Sequence, residues 1–175
     1  MNNNAALIAL GANLPFDGLT GAALLSRALS ALQAEGLAVR AVSGVWRTAA
    51  WPPGTEQPDY FNAAAELDPA GRAPRLLYDA LRAVEARFGR ERRERWAART
   101  MDLDIIAMDG FVGTFGGITL PHPRMQERAF VLAPLAEIAP RWRHPASGAT
   151  PGDMLAALGR VEGCRREGDL ALGAG

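Results

Sequence analysis

Two carboxylates stand two residues apart in Asp102-Leu103-Asp104, within the apolar run Met101 to Met108, which reads as a β-strand. In a strand, side chains at i and i+2 leave the same face, about 6–7 Å apart. Carboxylates that close repel each other unless a cation lies between them. Just before them, Arg82 to Arg99 carries seven arginines against three glutamates. After them come Pro121-His122-Pro123, Arg124 and Arg128. A divalent cation held by carboxylates, with arginines alongside, is what a polyphosphate needs. The cluster therefore points to an enzyme that handles a nucleoside triphosphate.

Several elements must position these residues. Ala5 to Leu10 is a short apolar run closed by Gly11, the pattern of a buried strand and a turn. Leu24, Leu25, Ala28, Leu29 and Leu32 recur at helical spacing within Leu19 to Leu32, and Gly36 ends that helix. Leu37 to Trp46 reads as a second strand, and Arg47 to Asp59 as a long loop with four prolines or glycines in thirteen residues. Tyr60 to Leu67 reads as a third strand. Leu76, Leu77, Ala80, Leu81, Val84 and Phe88 mark a second amphipathic helix, ended by Gly89. The arginine-rich loop Arg90 to Arg99 then leads into the aspartate strand, after which Asp109-Gly110 is a turn with hairpin character. Ala129 to Ile138 and Pro151 to Leu158 are further helices, the last with Thr150 as N-cap and Pro151 in its first turn.

The order β-α-β-β-α-β predicts an α+β fold, a ferredoxin-like sandwich with helices packed on one face of a mainly antiparallel sheet, plus C-terminal helical additions. At 175 residues, 49% of them apolar, the chain suffices for one domain, 1–175, with its own core. Residues 163–175 show no periodicity and are expected to fray.

Composition excludes other chemistries. All 19 basic residues are arginine, so neither a P-loop lysine nor a Schiff-base lysine exists. One cysteine, Cys164, and two histidines, His122 and His144, rule out an internal disulfide and a multi-histidine zinc site. The net charge of zero gives no overall attraction to nucleic acid or anionic membrane. No run approaches the ~20 apolar residues of a membrane span, and the first residues lack a signal-peptide pattern. A cytoplasmic location follows as the expectation.

Four patches, in this order and spacing, carry a family resemblance. They are Ala9-Leu-Gly-Ala-Asn-Leu14; Trp46-Arg-Thr48 through Gln57-Pro-Asp-Tyr60-Phe-Asn62; Gly89-Arg90 through Trp96, Arg99, Asp102 and Asp104; and Leu120-Pro-His122-Pro-Arg124 with Arg128-Ala-Phe130. The chain, from about Leu7 to Pro145, resembles the 6-hydroxymethyl-7,8-dihydropterin pyrophosphokinases of folate biosynthesis. The resemblance implies transfer of the β,γ-pyrophosphoryl group of ATP to the pterin's 6-hydroxymethyl oxygen, releasing AMP, with two Mg2+ ions. It implies two small-molecule partners, ATP and the pterin, with no nucleic acid and no membrane, and an enzyme that works as a monomer.

By the same resemblance, Asp102 and Asp104 hold the metal, and Arg90, Arg92 and Arg99 act beside them in catalysis. Glu85, Arg90, Arg92, Trp96, Arg99, His122 and Arg128 line the ATP site, with Trp96 as a lid residue. Tyr60 and Phe130 would sandwich the pterin ring. Asn62, both donor and acceptor, would pair with its pyrimidine edge, completed by backbone groups at Thr48, Ala49 and Trp51. For Tyr60 and Phe130 the alternative is plain core packing, and for the arginines a solvated helix end.

The chain departs from the family pattern in places. The loop from Gly89-Arg90 to Trp96 is one residue shorter, which leaves the arginine register open. Ala97-Ala98 replaces Gly-Pro, Ala49-Ala50 replaces prolines, and Ala12 replaces a serine. Arg82 stands where an amide is common. Two rival readings remain: a catalytically silent pterin-binding protein, and a ferredoxin-like nucleic-acid-binding module. The second would require exposed aromatics on its central strands.

Overall fold

A computed structural model describes residues 4–50, 56–89, 100–159 and 163–170 of the chain. The strands β1 (Ala6–Ala12), β2 (Ala38–Val42), β3 (Val45–Thr48), β4 (Tyr60–Asp68) and β5 (Asp102–Met108) alternate with α1 (Gly21–Ala34) and α2 (Pro74–Arg87) in the expected order. β1 is central, antiparallel to both β4 and β5, while β2 and β3 both pair with β4. Counting β2 and β3 as one interrupted strand, the order across the sheet is fourth, first, third, second. This is a ferredoxin-like sandwich.

The expected strand from Leu37 to Trp46 is real but broken at Ser43-Gly44. Ser43, 2% exposed, accepts a hydrogen bond from the Ala64 amide at 2.9 Å and donates to the Gly44 carbonyl at 2.8 Å. A side-chain hydroxyl thus satisfies a buried backbone donor at the jog, where the ladder itself cannot.

Period-two alternation sorts the sheet residues onto two faces. Ala6, Ile8, Leu10, Ala63, Ala65, Leu67, Leu103 and Ile105 form one core with the apolar stripes of α1 and α2. On the other face Leu7, Ala64 and Ile106 pack against Val131, Leu132, Leu135 and Met154. Those residues come from α3 (Ala129–Ile138) and α4 (Pro151–Ala157), so the C-terminal helices cover the second face and the molecule has three layers. α3 is apolar almost all round because sheet and α4 flank it. α4 begins with a complete capping box, in which Thr150 and Asp153 each accept the other's backbone N–H.

Two features differ from the sequence expectations. The Asp109-Gly110 turn forms, but the hairpin lies further on, between β6 (Gly113–Phe115) and β7 (Ile118–Leu120). Gly116 and Gly117, both at positive φ, make its turn. The tail expected to fray instead supplies β8 (Cys164–Gly168), which pairs with β3 as the outermost strand. Arginine and glutamate conceal it in the sequence, because an edge strand with open faces needs no apolar alternation. Glu137 of α3 fastens this edge, accepting from Gly44 N–H at 3.0 Å, Trp46 Nε1 at 2.5 Å and Arg166 Nε at 3.3 Å.

Ser43→Ala would leave the Ala64 amide buried and unpaired. Urea unfolding should show a loss of about 1–3 kcal/mol; an unchanged midpoint would mean that water replaces the hydroxyl.

Candidate active site

Register brings the candidate residues onto one face, the one that α3 partly covers. Gly11 of β1 stands opposite Asn62 on one side and Asp102 on the other. Asn62 in turn faces Trp46, giving a row Trp46, Asn62, Gly11, Asp102 across four strands. Thr48 faces Tyr60 in the adjacent row. Ala9, between Ala64 and Asp104, makes the row on the other side. Asn62 and Asp102 are thus two strand spacings apart, about 10 Å, with only a glycine between them.

Asn62 is 5% exposed. Its Nδ2 donates to Thr48 Oγ1 at 2.9 Å, and to the Trp46 carbonyl at 3.4 Å. Its Oδ1 lies over Gly11, 3.2 Å from where a Cβ would stand, so a side chain there would crowd the amide. Tyr60 is half-buried, whereas Phe130, at the start of α3, is 38% exposed. Core packing therefore does not account for Phe130. An aromatic ring left open to solvent suits stacking on a flat heterocycle. Ala49 follows Thr48 and approaches the start of β8, 3.9 Å from a Cβ built on Gly163. In the first loop Asn13, 7% exposed, donates from Nδ2 to the Pro58 carbonyl at 3.1 Å, tying that loop to the approach to Tyr60.

Around the aspartates the charges converge. Burial first, and the Asp102 carboxylate second, push the Asp104 carboxyl above the ordinary aspartate range. Arg82, His122 and Arg128 oppose that rise. The His122 amide donates to the Ile106 carbonyl at 2.7 Å, which sets the residue against β5. Its Nδ1 accepts from the Arg124 amide at 3.1 Å, so the ring proton belongs on Nε2 in the neutral tautomer. Burial lowers the His122 pKa, against the pull of Asp104. A neutral imidazole with its Nε2–H free to donate suits a phosphate oxygen. Burial also lowers Arg128, though a guanidinium keeps its charge; its Cζ lies 5.7 Å from the Phe130 ring centre.

Glu85, expected at the ATP site, is 1% exposed, accepting from Leu103 N–H at 2.7 Å and pairing with Arg82 at 2.8 Å. The sequence marks this pairing only through the Arg82–Glu85 spacing of three. Burial raises the Cys164 thiol, the wrong direction for a nucleophile. Trp51, Arg90, Arg92, Trp96 and Arg99 lie outside the described residues.

The carboxylate pair fits a hard divalent cation. Its oxygens are acceptors that repel each other, and both side chains are half-buried. Among the described residues no group of three or more His, Cys, Asp or Glu gathers. An ion here would fill its shell with water and phosphate oxygens, as Mg2+ prefers.

The family model for 7,8-dihydro-6-hydroxymethylpterin-pyrophosphokinase matches residues 7–140. The chain belongs to this pyrophosphokinase family. It is 42% identical to the 2-amino-4-hydroxy-6-hydroxymethyldihydropteridine pyrophosphokinase of Synechocystis sp., covering 84% of this chain and 72% of that one. It is 38% identical to the Bacillus subtilis enzyme of the same name, over 84% and 85% of the two chains. Among solved structures, Plasmodium falciparum HPPK-DHPS, wild type with SDX-DHP, superposes with a TM-score of 0.69 at 10% identity. That match covers 93% of this chain and 47% of the other, so the pyrophosphokinase chain spans about half the length of that longer protein. At such low identity it establishes the shared fold.

In the metal-free protein, an Asp104 carboxyl held above its unfolded pKa makes folding less favourable once ionised. The cost is absent below the unfolded pKa and complete above the folded one. Metal-free Asp104→Asn should therefore unfold at higher urea than the parent at pH 7, the gain shrinking as pH falls through the carboxylate range. A variant less stable than the parent at pH 7 would show that the charge is compensated.

Proposed function

We propose that this protein transfers the pyrophosphoryl group of ATP to the hydroxymethyl oxygen of 6-hydroxymethyl-7,8-dihydropterin, as its family membership indicates. The observation that carries the reading is the row Asn62, Gly11, Asp102. It sets an amide edge and a carboxylate pair on one sheet face, about the length of a bicyclic ring and its arm apart.

In this reading Asn62 and Thr48, with backbone groups at Ala49, pair with the aminopyrimidinone edge. Tyr60 and Phe130 wall the ring, and Gly11 leaves the floor beneath it bare. The hydroxymethyl oxygen then points toward the aspartates. That oxygen forms a bond to the β-phosphorus of ATP while the bond from this phosphorus to the α,β-bridging oxygen breaks, and AMP leaves with that oxygen. The hydroxyl proton is lost to solvent or phosphate. Asp102 and Asp104 would hold the metal, which we take to be two Mg2+ ions, and these would supply neutralisation of the phosphate charge. His122 and Arg128 donate to phosphate oxygens. Arg90, Arg92, Arg99, Trp96 and Trp51 enter through the resemblance alone. Catalysis is then chiefly positioning and charge neutralisation.

No helix among the described residues is long and apolar enough to cross a membrane, and the lone Cys164 suits a reducing compartment. A cytoplasmic monomer acting on two small substrates fits both. An RNA-binding role has less support, because α3 and α4 cover part of the sheet face such a module keeps open.

Incubation with ATP, Mg2+ and the pterin, with AMP and ADP separated by chromatography, tests the reaction. Pterin-dependent AMP is expected; ADP would refute it, and pterin binding without turnover would mean a silent binding protein. Asp102→Ala and Asp104→Ala should each lower kcat by at least about a thousandfold with the fold retained. Asn62→Ala should raise the pterin KM about tenfold or more while the ATP KM stays within about twofold. Equal losses for both substrates would contradict the edge pairing.

A further inference from the structure

Leu103, between the two aspartates, lies on β5, the end strand of the sheet, whose only strand neighbour among the described residues is β1. Two side chains of α2 grip its peptide groups. Glu85 Oε1 accepts from Leu103 N–H at 2.7 Å, and Arg82 Nη2 donates to the Leu103 carbonyl. The grip is braced from within, because Arg82 Nη1 lies 2.8 Å from Glu85 Oε2 and its Cζ sits 4.7 Å from the Tyr78 ring centre. Arg82 is 23% exposed along its side chain and Glu85 2%. The same Nη2 stands 3.6 Å from Asp104 Oδ1.

We propose that Arg82 is the resident counter-cation of Asp104, a positioning residue that steadies the metal-binding carboxylate and weakens the protein's hold on free divalent ion. The proposal rests on Asp102 and Asp104 being metal ligands. Three contacts besides Asp104 pin the guanidinium: a carboxylate, a carbonyl and an aromatic face. It does not swing clear when an ion arrives, so its charge stays within a few ångströms of that ion and repels it. Polyphosphate brings the extra negative charge that offsets the repulsion. Metal without nucleotide should therefore bind poorly, and metal with nucleotide well, with Arg82 as the cause of the difference.

The test is Mn2+ binding, read from the free-ion electron paramagnetic resonance signal, with and without a non-hydrolysable ATP analogue. The proteins are the parent, Arg82→Gln, Arg82→Met, Arg82→Lys and Asp104→Asn, each checked for folding by circular dichroism. Without nucleotide, both neutral variants should bind Mn2+ about tenfold tighter, the scale of one half-buried charge contact. Arg82→Lys should stay near the parent. With the analogue present, the gap between Arg82→Gln and parent should close to about threefold or less. Asp104→Asn should lose binding; if it binds like the parent, the metal reading itself fails. If Asp104→Asn loses binding while Arg82→Gln and Arg82→Met bind no tighter than the parent, the counter-cation role is overturned. Should neither neutral variant fold, the parent still decides: the Arg82 guanidinium Nε–H resonance must shift as Mg2+ saturates the protein, and an unmoved resonance overturns the proposal.

Discussion

The register of β1 against its two neighbours constrains the site more than any single contact. Pairing with β4 puts Asn62 opposite Gly11, and pairing with β5 puts Asp102 there from the other side. Side chains alternate with a period of two, so a slip of one residue on either flank would turn an amide or a carboxylate into the opposite core. The apolar residues that prevent the slip are Ile8 and Leu10 on one face and Leu7 on the other. Moving them costs buried surface at about 25 cal/mol per Å2. Hydrophobic burial far from the chemistry therefore sets where the chemistry sits.

A second constraint comes from the sheet's open side. An end strand presents unpaired backbone groups to solvent, and β5 carries the aspartates on such an edge. Glu85 and Arg82 take the place of a missing strand there, which explains a buried carboxylate on the apolar stripe of α2. The helix therefore has two jobs, closing one core with Leu77, Leu81 and Val84 and holding Leu103 with the adjacent Arg82 and Glu85.

Much of this was legible in the residues. The strand with Asp102 and Asp104, both long helices, α3 and the Thr150 cap all follow from spacing and capping chemistry. So does the ferredoxin-like order. What escaped was non-local or disguised. The break at Ser43-Gly44 depends on a hydroxyl reaching a neighbouring strand, and β8 is a charged edge without alternation. Glu85, expected in the ATP site by resemblance, shows nothing in the sequence of its partner on β5, 18 residues away. The bareness of Gly11 gains meaning only from what stands opposite it. Side-chain partners at long sequence separation were the illegible part, and the site is made of them.

The position of β8 has a consequence in time. β3 carries Thr48, yet its outer neighbour is the last strand of the described chain to be synthesised. While the polypeptide is still emerging, β1, β4 and β5 can assemble around their cores, but β3 remains a bare rim beside Asn62. The half of the site built on Asp102 and Asp104 can thus mature early, whereas the half that includes Thr48 is completed only when translation has passed residue 168.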